Sequence, residues 1–555
     1  ARRRDRGLAA APDDRPRDRP GVALLAVGAQ DLGQLALARR GDQVGRGLAA
    51  PRVHAHVEGR LARVGEAALG AVHLHRRQAE VHQHGVGHQP LLGQAGQRVG
   101  EVRAHEPGLA DHVLGERVEP GPGLGVLVDG DVAAVLSEGR GQPAGVAAFV
   151  VKMTPDGALA WVTVVNGNGS DSGEGIAVDS SGHVVVAGYT DSTNFPLVNP
   201  VHGDRGGRDA FALKLDPSGL IVYSTYLGGS SSFDYGEAAA VDPQGNAYVT
   251  GTTRSSNFPV LNAQKATIGG QDAFVVKLDP AGNQLYGTFL GGSGSEVGES
   301  ITVDDTGSFY VTGWTSSSNF PRAQSTVSNG GGEDVFVTQY APDGSSFVYS
   351  RFLGGNANER ALAITLDGEG GVYVGGVTDS TNFPSALPIQ GDQPGTDGFL
   401  TRLAVGGVVT FSTYLGGSDW ERVLGLSVRN GLVFATGQTF SPDFPALNAV
   451  QPGKAGDATT ADAFVTAVDV PLSTLAWSTY LGGAASEEGR GVAALPGGNV
   501  FVVGWTESSD FPTVRPIQEA RSNVGNLFIT RIAPLGVDAV SPAFVVMAGG
   551  DARTI

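Results

Sequence analysis

An all-β repeat architecture is the fold class that the sequence predicts, and three markers that share one spacing predict it. The string Asn-Phe-Pro occurs at Asn194–Pro196, Asn257–Pro259, Asn319–Pro321 and Asn382–Pro384, and returns with Asp in first place at Asp443–Pro445 and Asp510–Pro512. Its phenylalanines, Phe195, Phe258, Phe320, Phe383, Phe444 and Phe511, are 63, 62, 63, 61 and 67 residues apart. Aromatic-Leu-Gly-Gly recurs at Tyr226–Gly229, Phe289–Gly292, Phe352–Gly355, Tyr414–Gly417 and Tyr480–Gly483, with a degenerate copy at Val164–Gly167. A strand pattern is centred on Phe149, Phe211, Phe274, Phe336, Phe399, Phe464 and Phe528. Repetition at a fixed period is the mark of arrays built from one supersecondary unit.

The segment before this array reads differently. Residues 1–146 contain no Lys, Asn, Ile, Phe, Thr, Tyr, Trp or Met. Apart from Ser137, every residue there can be encoded by a codon beginning with G or C. A GC-rich gene read out of frame gives that composition. All 40 aromatic residues lie at or after Phe149, so the segment has no large rings to anchor a core. Nine of the 11 histidines fall in it, including the pairs His54 with His56, His73 with His75 and His82 with His84. No strand or helix pattern supports them as metal ligands. Residues 1–146 are therefore expected to be non-globular, out of frame or disordered, and to form no domain.

From residue 147 each period holds four short candidate strands. In one unit these are Ala238–Asp242, Ala247–Gly251, Ala273–Leu278 and Leu285–Leu290. Asp242-Pro243-Gln244-Gly245 joins the first two and Asp279-Pro280-Ala281-Gly282 the last two, with Pro second and Gly fourth in each turn. Each unit is thus two hairpins with the Asn-Phe-Pro loop between them. Four antiparallel strands repeated in tandem form propeller blades more naturally than the coils of a solenoid, the competing arrangement. The predicted fold is a β-propeller of about seven four-stranded blades over residues 147–536, six complete and one partial. The first blade keeps its second hairpin, about Ala147–Val165, and its first hairpin should precede residue 147.

The units resemble the SBBP (seven-bladed beta-propeller) repeat family. The resembling residues are Tyr223–Gly229, Val241–Gly251, Ser256–Pro259 and Asp272–Leu278, and recognisable versions recur in every unit from about residue 161. The resemblance implies an exported or cell-surface protein, extracellular in location, often with Ig-like modules beside the propeller and with no established enzymatic activity. Residues 537–555, with Val540–Phe544 and Ala548–Gly550, resemble the opening strand of an IPT/TIG immunoglobulin-like domain, although Val545 stands where that family usually has Gly.

Composition narrows the possible partners. Residues 1–146 hold 19 Arg against 17 Asp and Glu, and the remainder holds 19 basic against 39 acidic residues. So acidic a body argues against nucleic acid and anionic membrane surfaces. There is no cysteine and no run of eighteen apolar residues, which excludes disulfides, thiolate metal sites and insertion of a helix in a membrane.

One charged position recurs. A carboxylate follows each Gly-Gly or Asn-Gly by four or five residues: Asp171, Asp234, Glu296, Glu359, Glu421 and Glu487. Calcium bound by carboxylate and backbone oxygens is one reading, and a side chain accepting local N–H groups to lock the loop between blades is the other. The locking role is favoured, because each repeat must solve the same folding problem. Asp209, Asp272, Asp334, Asp397 and Asp462, with Asn526 in the last copy, precede the Phe-centred strands and are read as turn-fixing side chains. The Asn-Phe-Pro phenylalanines are expected to plug the gaps between blades. Trp314 and Trp505 share a Gly-Trp-Thr position, occupied elsewhere by Tyr189, Val377 and Gln438, and Trp420 lies near a loop end. Rim packing is favoured over sugar stacking for them. His183 and His202, the only histidines of the array, have no evident acid/base partner and are expected to face solvent. No nucleophile elbow, phosphate loop or zinc-type His-Glu helix is present. The expected function is a non-catalytic binding or structural module, monomeric as a module, that presents a protein or glycan ligand surface on one face of the ring. No cofactor is expected, and calcium or another hard cation is what the pattern could hold. A carbohydrate-active hydrolase or lyase and a calcium-rigidified surface spacer are the alternatives.

Overall fold

In the computed structural model, the described residues are 132–138, 147–154, 159–231, 233–324, 330–495, 498–514 and 526–533. The paired histidines of the first segment and the IPT/TIG-like stretch lie outside them. The described elements are all strands, 26 in number, and they form seven antiparallel sheets. Blade 1 contains β1 (Val132–Glu138), β2 (Ala147–Met153) and β3 (Leu159–Val165). Blade 2 contains β4 (Asp171–Val178), β5 (Val184–Thr190), β6 (Asp209–Leu215) and β7 (Ile221–Leu227). Blade 3 contains β8 (Asp234–Val241), β9 (Ala247–Thr253), β10 (Asp272–Leu278) and β11 (Gln284–Leu290). Blade 4 contains β12 (Glu296–Val303), β13 (Phe309–Thr315), β14 (Asp334–Tyr340) and β15 (Phe347–Leu353). Blade 5 contains β16 (Glu359–Leu366), β17 (Val372–Thr378), β18 (Asp397–Ala404) and β19 (Val408–Leu415). Blade 6 contains β20 (Glu421–Arg429), β21 (Leu432–Thr439), β22 (Asp462–Asp469) and β23 (Thr474–Leu481). Blade 7 contains β24 (Glu487–Ala494), β25 (Val500–Thr506) and β26 (Asn526–Ile532).

Strands pair in chain order within every blade, so each is the two-hairpin meander that the turn sequences predict. Blades 2 to 6 have all four strands, and the first and last have three each among the described residues. β1 lies inside the segment whose composition predicts no domain. It runs antiparallel to β2 from Val132↔Met153 to Glu138↔Ala147 and so takes the second-strand position of blade 1.

The hairpins close as their sequences require. Gly245 donates its N–H to the Asp242 carbonyl at 2.9 Å, and Asp242 Oδ1 accepts the N–H groups of Gln244 and Asn246 at 3.0 and 2.8 Å. Gly245 has φ +81°, a left-handed conformation that only glycine adopts without strain.

Both sides of each central strand are covered, which is why sequences such as Asp209–Leu215 are buried along their whole length rather than alternating. A hydrophobic cluster fills each gap between neighbouring sheets. Val185, Ala210 and Tyr223 of blade 2 meet Val249, Phe258 and Phe274 of blade 3 in one such cluster. Another joins the first blade to the last: Phe149, Val151 and Met153 of blade 1 pack with Phe501, Val503, Leu527 and Ile529 of blade 7. The seven sheets therefore close on one another as a β-propeller.

Candidate functional site

The recurring carboxylates all stand at the first residue of the innermost strand of a blade, and all are buried. Asp171 accepts the Gly167 N–H at 2.7 Å, the Thr190 hydroxyl at 2.5 Å and the Ser192 hydroxyl at 3.0 Å. Asp234 repeats this with Gly229, Thr253 and Ser255 at 2.8, 2.5 and 2.7 Å. Glu296, Glu359, Glu421 and Glu487 accept the N–H of Gly292, Gly355, Gly417 and Gly483 at 2.7–2.9 Å. They also accept the hydroxyls of Thr315, Thr378, Thr439 and Thr506 at 2.6–2.9 Å. Each carboxylate thus ties the Gly-Gly loop to the end of the second strand. Burial raises the pKa of all six, and these hydrogen bonds oppose the rise. Among the described residues no three His, Asp or Glu side chains are grouped as metal ligands, and the six carboxylates stand one to a blade.

The second carboxylate set opens the third strands. Oδ2 of Asp209, Asp334, Asp397 and Asp462 accepts a loop N–H from Arg205, Gly330, Gln393 and Ala455 at 2.8–3.1 Å, and that of Asp272 accepts the Gly269 N–H at 3.2 Å. The turn-fixing contact is therefore made by one oxygen only.

Five of the six rings of this motif lie on two aromatics of their own blade, inside the cluster shared with the preceding blade. Phe320 is 4.7 Å from Phe336 and 5.9 Å from Phe352, beside Tyr248 and Val275 of blade 3. Phe195, Phe258, Phe383 and Phe444 repeat this arrangement, and Phe511 stacks on Phe528 at 4.6 Å.

A site must come from positions where the repeats differ, and the innermost strands supply them. Each of the six carries a β-bulge three residues after its carboxylate. The bulged residues are Glu174, Glu237, Glu299, Leu362, Leu424 and Arg490. Bulges re-aim a side chain and are over-represented beside functional sites. The residue after each carboxylate also varies: Ser172, Tyr235, Val297, Arg360, Arg422 and Glu488. Side chains at these positions reach across blades. Arg422 pairs with Glu488 at 2.7 Å, and Glu488 also holds Arg490 at 3.0 Å. Glu299 of blade 4 acts on Arg422, and Glu174 of blade 2 acts on Arg490. Burial would raise the Glu488 pKa, yet Arg490 and Arg422 hold it below the usual range. Acidic bulge residues stand on blades 2 to 4, leucines on blades 5 and 6 and Arg490 on blade 7, while Arg360 and Arg422 stand two residues before the two leucines.

Arginine–aromatic stacks surround this inner rim. The Arg208 guanidinium lies 4.5 Å from the Tyr189 ring and 5.1 Å from that of Tyr235, while pairing with Asp191 at 2.8 Å. Arg360 lies 4.7 Å from the Trp314 ring and pairs with Glu333 at 2.6 Å, and the Trp314 indole donates to Glu299 at 3.1 Å. Arg422 covers Trp420 at 5.1 Å, and Arg254 covers Phe233 at 4.0 Å. Burial and the Glu174 charge push the Tyr189 hydroxyl up to about 12.

Sequence reasoning missed the bulge row, because a bulge shows only in the register of the strand opposite. The array's histidines also need correcting. His183 Nδ1 lies 3.2 Å from Asp179 Oδ2, next to the buried Lys214, and His202 Nε2 is 2.6 Å from Gln284 Oε1, so both have partners and are partly buried. Asp179 stands only four residues before His183 and was overlooked, whereas Gln284 belongs to the next blade, 82 residues on, which linear spacing does not reveal.

The fold and this rim define a tandem-repeat β-propeller. Residues 160–196, 222–259 and 285–321 match the beta-propeller repeat SBBP, and the chain carries repeats of that type. The regulatory protein FlaEY of Caulobacter vibrioides is 25% identical over 363 residues, covering 60% of this chain and 36% of that protein. An uncharacterized WD repeat-containing protein of Acanthamoeba polyphaga mimivirus is 23% identical over 192 residues, covering 29% of this chain and 14% of that protein. The chain thus spans little more than a third of the longer-matching relative. Among solved structures, the β-propeller domain of the Trilobed protease from Pyrococcus furiosus is 8% identical with a TM-score of 0.37, covering 74% of this chain and 94% of that one. Acylaminoacyl peptidase from Pyrococcus horikoshii is 10% identical with a TM-score of 0.37, covering 74% and 50%.

Proposed function

We propose that this propeller is a non-catalytic binding module that receives a protein partner on its inner rim. The rim lies on the face where the innermost strands begin. One observation carries the reading: positions that hold the fold repeat from blade to blade, while the bulge residues and their neighbours change from Glu to Leu to Arg. Folding does not demand that variation, because Glu, Leu and Arg all occupy one backbone geometry. Arginine and large aromatics are also the residue types that dominate binding energy at protein interfaces. Arg208 with Tyr189, Arg360 with Trp314 and Arg422 with Trp420 supply them at three places on the rim.

The test compares the full chain with an Arg360→Ala/Trp314→Ala variant that melts at a similar temperature. Proteins captured by the wild type are identified, and one of them is titrated against both forms. Loss of at least tenfold in affinity is expected for the variant. Equal affinity overturns the reading, and retention on a glycan array with turnover of the bound glycan supports the carbohydrate-active alternative.

A further inference from the structure

The second carboxylate set has an unused oxygen. In Asp209, Asp272, Asp334, Asp397 and Asp462, Oδ2 accepts a loop N–H while Oδ1 is buried and receives no donor. These five oxygens have a common neighbour type. At the blade 3–blade 4 boundary Asp272 Oδ1 and Glu296 Oε2 border one small space beside Gly291. The first glycine of each Leu-Gly-Gly borders the same small space. A methyl group on Gly416 would collide with Asp397 Oδ1 and come within 2.9 Å of Glu421 Oε2. On Gly354 it would collide with Asp334 Oδ1 and come within 2.8 Å of Glu359 Oε2. The charges of Asp234, Glu359, Glu421 and Glu487 act on Asp209, Asp334, Asp397 and Asp462 in turn. Two carboxylates at such range in a dry interface cannot both stay ionised.

We infer that four of these carboxyl pairs, at the boundaries of blades 2–3, 4–5, 5–6 and 6–7, are proton-binding sites whose shared proton bridges the two blades, and that at Asp272–Glu296 the Lys265 ammonium takes the place of that proton. The proton sits between Asp Oδ1 and the carboxylate that begins the next innermost strand, so both oxygens are satisfied and the blades are joined. No covalent bond changes. The last copy of the position is Asn526, whose amide is the neutral, proton-bearing isostere of an acid.

The surroundings differ among the pairs. Asp204, Arg205 and Tyr226 face Asp209. Lys265 Nζ lies 2.5 Å from Asp272 Oδ2 and donates to the Gly291 carbonyl at 2.9 Å, so a cation already offsets charge at that pair. Asp379 faces Glu359, and Lys454 with Tyr480 faces Asp462. Asp392 on the preceding loop and Tyr414 on β19 face Asp397, Tyr480 on β23 faces Glu421, and among the described residues no cation acts on Asp397. Burial, reinforced by the neighbouring carboxylate, pushes Asp209, Asp397 and Asp462 up to about 7 and Asp334 to about 6. A folded-state value above the unfolded one gives stability that is complete below about pH 4. That stability is lost as pH rises through the folded value, so the window is about pH 4 to 7.

The test is denaturant unfolding of the full chain between pH 4 and 8. Each shared proton makes the folding constant fall by up to about tenfold per pH unit inside that window. Asp397→Asn should reduce the slope by one proton, because the amide donates where the proton did. Lys265→Met should increase it by one, and exposed Asp305→Asn should leave it unchanged. Carbon-13 carboxyl titration of the wild type, which requires no variant to fold, should show aspartates still titrating between pH 6 and 7. Slopes identical for wild type and Asp397→Asn, or every aspartate titrating below pH 5, overturn the inference. A melting temperature raised by calcium in the wild type but not in Asp397→Asn also overturns it, since the pair would then hold an ion.

Discussion

Phe320→Ala tests whether the Asn-Phe-Pro loop is part of the core or a decoration on it. The ring is 2% exposed and lies on Phe336 and Phe352, in one hydrophobic cluster with Tyr248 and Val275 of the preceding blade. A buried phenylalanine removes about 150–250 Å² from water, which at about 25 cal/mol per Å² is about 4–6 kcal/mol. Alanine retains part of that, and measured core replacements of this kind cost about 3–5 kcal/mol. The expectation is therefore about 3–5 kcal/mol, read as a lower denaturant midpoint. Tryptophan fluorescence and far-ultraviolet circular dichroism should be followed together, because a repeat array can lose cooperativity and coincident curves establish that one transition is being measured. Leu261→Ala in the equivalent loop of blade 3 is the control: the side chain is 42% exposed, and its loss should stay within about 0.5 kcal/mol. A Phe320→Ala loss below about 1 kcal/mol, with coincident curves and an unchanged slope, would refute the plug.

Three further outcomes are expected. Leu387→Asn should stabilise the fold by about 0.5–1 kcal/mol in thermal unfolding: Leu387 holds φ +48°, and at the matching positions Asn199 and Asn262 donate to the Val222 and Leu285 carbonyls. Gly416→Ala should cost about 1–3 kcal/mol, since its methyl group meets Asp397 and Glu421 with no room to turn aside, and a neutral result would mean that the space between the blades is slack. Thr439→Val removes the hydroxyl that Glu421 accepts at 2.6 Å, leaving a buried carboxylate short of a donor; it should cost about 1–3 kcal/mol at pH 7 and less at pH 4, where a protonated Glu421 needs the donor less.

The blade plan was legible because its determinants are local and repeated. Asp242-Pro243-Gln244-Gly245 specifies its own turn, and the Phe-centred strands follow at one spacing. Even the change from Asn to Asp in the last two loops is transparent in the structure. Asn257, Asp443 and Asp510 all use Oδ1 to accept the N–H of Ser230, Ser418 and Ala484 at 2.9 Å, and either residue supplies that oxygen. The rim was not legible for the opposite reason. A bulge is a two-against-one pairing with the neighbouring strand, and Glu174 is marked as bulged only by the register of β5 opposite it. Contacts such as Arg422 with Glu488 join residues 66 apart and depend on how two blades meet. The segment before residue 147 was misleading in part. Its composition conceals β1, whose Val132-Ala133-Ala134-Val135-Leu136 is strand-compatible and is selected by the open edge of β2 rather than by its own turn signals.

The fold separates two uses of charge that composition had merged into one acidic total. Carboxylates at repeated positions are turned inward, capped by glycine N–H and threonine hydroxyl donors or set opposite another carboxyl, and hold blade to blade. Charges at varied positions, Glu299 beside Trp314 and Glu488 between Arg422 and Arg490, are spent on one another around the inner rim. That rim is therefore ordered before any partner arrives, since its arginines already lie against rings and carboxylates. A partner meeting a preorganised surface loses less side-chain entropy on binding. Substitution of a rim arginine should accordingly cost little in the free protein: Arg360→Ala gives up one partly exposed ion pair and one ring stack, about 1 kcal/mol together. Its effect on a bound partner should exceed that figure, and equal losses in both would mean that the stacks serve only to brace the ring.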